Sequence, residues 1–114
     1  MNCNCEHSTT GERAWVGTGL KFAITITAEG FSQENDDWKV VFQCGRNTLE
    51  LTKADMSISE DNQGNLTFIA NVDTSLLGAG VLSVITYAYV PDEDWDSGYR
   101  VEVDKQDILN IKAL

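Results

Sequence analysis

The chain has 114 residues, 42% of them hydrophobic, enough for one domain with its own core and too short for two ordinary domains of roughly 100 to 150 residues each. Eighteen Asp and Glu against eight Lys and Arg give a formal charge of −10 without any basic cluster, which argues against a nucleic-acid backbone or an anionic bilayer as partner. No apolar run approaches the roughly 20 residues that span a bilayer, and the N-terminal residues lack the positive and apolar regions of a secretory signal. The expectation is a chain that stays in the cytoplasm where it is made, with its three cysteines reduced.

Residues 1–18 are polar and show no sustained periodicity, so they read as a flexible arm ordered by a partner, followed by a domain over residues 19–114. From Leu20, the residues Leu20, Phe22, Ile24, Ile26 and Ala28 alternate with Lys21, Ala23, Thr25, Thr27 and Glu29, the period-two pattern of a half-buried strand. A polar turn leads to a second strand with Trp38, Val40, Phe42 and Cys44 on one face, and a third follows Gly45 with Leu49 and Leu51 facing in. Residues 60–65 are dense in turn formers, and Leu66, Phe68, Ala70 and Val72 then alternate again.

The longest apolar run, residues 81–90, is apolar or aromatic on both faces. Val81, Ile85, Tyr87 and Tyr89 lie on one, and Leu82, Val84, Ala88 and Val90 on the other. Such a strand is central and covered on both sides, or covered on one side by another subunit. Pro91 stops it. Tyr99, Val101 and Val103 form a further short strand, and Leu109 with Ile111 closes the domain. About seven short strands with regular turns predict an all-β fold, a single antiparallel β-sandwich of immunoglobulin-like architecture, without the Cys, Trp, Cys spacing of antibody domains.

Several constellations bear on chemistry. Asp92, Asp94 and Asp96 place carboxylates at alternate positions before Gly98, similar to the opening of a calcium loop. The glycine then falls one place late, and Val103 stands where a bidentate Glu would be needed, so a solvated acidic turn competes with the metal reading. Cys3, Cys5 and His7 form a Cys-x-Cys-x-His array that Cys44 could complete for zinc, against an arm with incidental thiols and a Cys44 that simply fills the core. The only histidine, His7, lies in the arm, which disfavours a Ser-His or Cys-His hydrolase. The acidic side chains sit in polar turns without the tuning that acid and base catalysis requires. No catalytic residue and no cofactor are expected.

The strand over residues 20–30 with Phe31, the Asp36-Asp37-Trp38 turn, residues 73–82, and residues 89–94 followed by residues 98–103 together resemble small β-sandwich proteins of phages and prophages of gut Bacteroidales. They are also similar to the immunoglobulin-like N-terminal domain of phage baseplate upper proteins. The resemblance implies a non-enzymatic virion structural or assembly protein of a tail, baseplate or head, which moves from the cytoplasm into the particle and contacts other virion subunits or its own copies. It carries over no catalytic or ligand residue, and the long helical or fibre-like extension of baseplate proteins is not expected within these 114 residues. Contact residues expected for a partner or ligand are Tyr87, Tyr89, Trp95 and Tyr99. The competing reading is a carbohydrate-binding or calcium-dependent module built on Trp95, Tyr99 and the acidic loop, and exposure of Trp95 is its distinguishing feature.

Overall fold

The computed structural model describes residues 13–114 in full and the backbone of residues 2–7. Nine strands form among these residues: β1 (Asn2–His7), β2 (Arg13–Trp15), β3 (Gly19–Thr27), β4 (Trp38–Cys44), β5 (Asn47–Thr52), β6 (Ser57–Glu60), β7 (Leu66–Asp73), β8 (Gly80–Pro91) and β9 (Tyr99–Lys112). Two short 3-10 turns, Lys53–Asp55 and Thr74–Leu76, join β5 to β6 and β7 to β8. The strands make two packed sheets, in the orders β1-β3-β7-β6 and β2-β9-β8-β4-β5, so the fold is a β-sandwich. Every pairing is antiparallel except that of β2 with β9. No helix among the described residues is long and apolar enough to cross a membrane.

The alternating residues make the core as the pattern requires. Leu20, Phe22, Ile24 and Ile26 of β3, Phe68, Ala70 and Val72 of β7, and Trp38, Val40, Phe42 and Cys44 of β4 are all buried. Phe22 and Phe42 bridge the two sheets with ring centroids 5.1 Å apart. Trp38 meets Phe68 edge to face at 5.3 Å, an arrangement aromatic quadrupoles favour, and its Nε1–H donates to the Gln33 carbonyl at 2.9 Å.

The N-terminal stretch read as a flexible arm contains β1, paired with β3 from Asn2 opposite Thr27 to His7 opposite Phe22, and β2, which runs parallel to the end of β9. An edge strand of this kind is specified by the open ladder of its neighbour, so it needs no apolar alternation of its own. The same holds for β6, where the sequence predicts no strand.

Leu109 and Ile111 belong to the same strand as Tyr99, Val101 and Val103, because β9 runs unbroken through a bulge. Leu82 stands opposite Leu109 while Ser83 stands opposite Asp107, leaving Ile108 as the extra residue. The bulge switches which parity faces inward: Leu109 and Ile111 are buried, whereas Tyr99, Val101 and Val103 are exposed.

Two polar side chains, the buried Thr74 and the half-buried Gln33, tie loops to the sheets. The Thr74 hydroxyl, fully buried, accepts from the Gly17 N–H at 2.9 Å and donates to the Thr18 carbonyl at 2.8 Å, fastening the β2–β3 turn to the 3-10 turn after β7. The Gln33 amide works on β3: its Nε2 donates to the Ile24 carbonyl at 2.9 Å and its Oε1 accepts from the Ile26 N–H at 3.0 Å. The β3–β7 ladder ends at Ile24 opposite Phe68, so this side chain supplies a further rung beyond it.

Candidate interaction surface

In β8, Leu82, Val84, Thr86, Ala88 and Val90 point into the core and are buried. Ile85, Tyr87 and Tyr89, on the opposite face, are half-buried. The two-sided cover that the run over residues 81–90 predicts is one-sided among the described residues, where no element lies over the second face. β8 is central within its sheet, between β9 and β4.

Register extends this apolar row sideways, since directly opposed residues of antiparallel strands share a face. Tyr89 stands opposite Val101, Tyr87 opposite Val103, and Ile85 opposite Val41 on β4. Tyr99, Val101 and Val103 are 42%, 47% and 56% exposed, values that put them in solvent instead of in the core. The apolar residues Val41, Ile85, Tyr87, Tyr89, Tyr99, Val101 and Val103, on strands about 4.8 Å apart with side chains repeating every 6.8 Å or so, cover roughly 230 Å². That approaches the size of the largest patches on monomeric proteins, which are often functional.

The patch has ordered edges. Tyr89 and Tyr99 pack edge to face with centroids 5.5 Å apart. Lys39 Nζ lies 5.0 Å from the centre of the Tyr87 ring and 3.0 Å from Glu50 Oε1. The Glu50 hydrogen bond, helped by the nearby tyrosines, raises the Lys39 pKa, so this cation remains charged beside the aromatic row. Beyond Tyr89, an open groove of about 470 Å³ runs between Trp38, Lys39, Glu50, Thr52 and Lys53. Lys53 closes its far side by donating to the Glu34 carbonyl.

The acidic loop over residues 92–98 is a hydrogen-bonded turn. The Asp92 N–H donates to the Gly98 carbonyl at 2.9 Å and the Gly98 N–H to the Trp95 carbonyl at 2.8 Å, with Gly98 at φ +85°. Both carboxylate oxygens of Asp92 are engaged, one by the Asp94 N–H at 3.0 Å and the other by Arg100 Nη1 at 2.9 Å. The Asp94 N–H, followed by Arg100, holds the Asp92 pKa below its ordinary value. Asp92 is engaged by the turn and the ion pair, and among the described residues no group of three or more His, Cys, Asp or Glu is arranged to hold a metal ion. Trp95, at the tip, is 57% exposed.

Cys44 is a core residue. Its thiol donates to the Gly78 carbonyl at 3.5 Å, and burial pushes its pKa up, away from the thiolate that zinc requires. Cys3, Cys5 and His7 stand opposite Ile26, Ile24 and Phe22 in register; their side chains lie outside the described part of the structure.

Of the expected contact residues, Tyr87, Tyr89 and Tyr99 come together on one face, and Trp95 stands in the turn just before Tyr99. Val101, Val103, Val41 and Lys39 belong to the same surface and were not anticipated from sequence. For Val101 and Val103 the signal was present in the odd-numbered apolar positions of β9 before the bulge; Val41 and Lys39 join the surface through the register of β4 with β8.

No protein-family model matches the chain. No curated protein is significantly similar to it either.

Proposed function

We propose that this protein is a non-enzymatic interaction module whose outer β4-β8-β9 face docks against another protein, as a structural or assembly subunit of a phage or prophage particle. The observation that carries the reading is the central strand β8, apolar on both sides and covered on one, continued by exposed Val101 and Val103. Burial of such apolar surface is favourable at about 25 cal/mol per Å², and the patch would form the centre of an interface whose full extent is about 800 Å² per partner. The strand order supports an immunoglobulin-like sandwich: β1-β3-β7-β6 corresponds to strands A-B-E-D and β9-β8-β4 to G-F-C. The particle assignment rests on the sequence resemblance.

The test follows a tagged chain through density-gradient purification of particles from a producing culture. Co-migration with particles, lost in a folded Val101→Glu, Val103→Glu variant, is the expected result. A chain that stays at the top of the gradient as a free 12.6 kDa protein overturns the assembly reading. The exposure of Trp95 favours a second reading, a carbohydrate-binding module with Trp95 and Tyr99 as stacking platforms. A rise in thermal stability with a glycan, abolished by Trp95→Ala, would select it.

A further inference from the structure

The first half of β9 is an open edge. Asn2–His7 pairs with β3 of the other sheet, and Arg13–Trp15 pairs with β9 only at residues 110–112. Among the described residues, no strand hydrogen-bonds to β9 over residues 99–107 on the side away from β8. That leaves about 30 Å of edge whose alternate residues direct N–H and C=O groups outward.

The chemistry along this edge is specific. Residues 91–107 carry seven acids (Asp92, Glu93, Asp94, Asp96, Glu102, Asp104, Asp107) and two bases (Arg100, Lys105), net −5 of the chain's −10. Along β9 the apolar Tyr99, Val101 and Val103 face outward and the charged Arg100, Glu102 and Asp104 face the other side, half-buried. A strand laid beside it would place one set of side chains next to the valines and the other next to the acids.

Resting on the interaction-module reading above, we infer that the β9 edge accepts an extended basic segment of a partner protein, with apolar and basic residues alternating, as an added strand. A second copy of this chain is the poorer occupant: antiparallel pairing centred on Val103 sets Glu102 against the other copy's Asp104, and two chains of −10 repel. The opposite edge of the sheet, β5, is flanked by Arg46 and Lys53 and lacks the acidic turn, so it serves as an internal control.

The experiment titrates the full chain with a fluorescent alternating Lys-Val octapeptide, with a Glu-Val octapeptide and a Lys-Val peptide carrying a central proline as comparisons. Hydrogen exchange is followed on the unlabelled complex. Lys-Val binding should exceed that of both other peptides by about tenfold or more, because the acidic peptide is repelled and proline cannot donate to the ladder. Amides within residues 99–107 should be protected while those of β5 are not. The exchange map needs no variant, so it remains decisive if Val101→Glu, Val103→Glu compromises folding. Equal binding of the proline peptide, protection at β5 instead of β9, absence of Lys-Val binding, or a dimer of the free chain with a protected β9 overturns the inference. If peptide binding fails while the chain still travels with particles through Val101 and Val103, this inference falls and the interaction-module reading stands.

Discussion

Replacing Gln33 by Met removes one side-chain amide and nearly preserves its volume, so it isolates what that amide does for β3. The amide orientation is fixed by its two partners, since the Ile24 carbonyl needs a donor and the Ile26 N–H an acceptor. Each bond contributes about 0.5 to 1.5 kcal/mol net, and a half-buried, partly solvated pair belongs in the lower half of that range at about 0.75 kcal/mol each, so losing both in Gln33→Met should cost about 1.5 kcal/mol. With an unfolding slope of about 1.5 kcal/mol per molar, the urea midpoint, followed by fluorescence of the buried Trp38, should fall by about 1 M at unchanged slope. Gln33→Glu gives the sign. A carboxylate facing the Ile24 carbonyl is disfavoured while its protonated form can donate, so its folded-state pKa is raised. The deficit against wild type should be smallest below about pH 4.3, the unfolded value, and deepen as pH rises above it. A Gln33→Met midpoint within about 0.2 M of wild type, or a Gln33→Glu deficit that is flat with pH, would show that the extra rung adds nothing.

Two further outcomes follow from local geometry. Gly80 has φ +141°, and a Cβ there would sit 3.0 Å from Cys44 Sγ, so Gly80→Ala should destabilise by about 1 to 3 kcal/mol; in a Cys44→Ala background the cost should shrink by at least about 0.5 kcal/mol, as read from a double-mutant cycle of urea midpoints. Asp92 has a depressed pKa, so the stability it adds is present above its ordinary value of 3.8 and is lost as pH falls through the folded value; Asp92→Asn should flatten the acid limb of a stability profile measured from pH 2 to 6, and an unchanged limb would assign that limb to other carboxylates.

The core strands were legible because β3, β4 and β7 are each covered on one side only, and one-sided burial imposes the period of two that Leu20 to Ile26, Trp38 to Cys44 and Phe68 to Val72 display. β1, β2 and β6 were not legible. Their stability comes from hydrogen bonds to a neighbour's open edge, which leave no hydrophobic period in Ser57, Ile58, Ser59 and Glu60 or in Asn2 to His7. The bulge at Ile108 made one strand look like two, since parity of burial reverses across it. The tyrosines of the candidate surface were visible as aromatic residues in strands, but that Val101 and Val103 join them in solvent depends on register, which is set in three dimensions. The alternate carboxylates of residues 92–96 suggested a cation because spacing is visible in sequence. The capture of Asp92 by Arg100 is not.

The parity switch in β9 also divides the strand's tolerance to mutation. Up to Asp107, the outward positions can be exchanged without touching the hydrophobic interior, and the contact surface can drift or be redesigned at little thermodynamic risk. Past Ile108 the same odd numbering leads to Leu109 and Ile111, where polar replacements remove core volume. Deleting Ile108 would rejoin the two halves in a single phase. The valines would stay outward and Leu109 and Ile111 inward, because without the extra residue Asp107 and Leu109 alternate as neighbours in a regular strand, so the separation of the docking surface from the core rests on register and not on the Ile108 side chain, which packs only partly against the core.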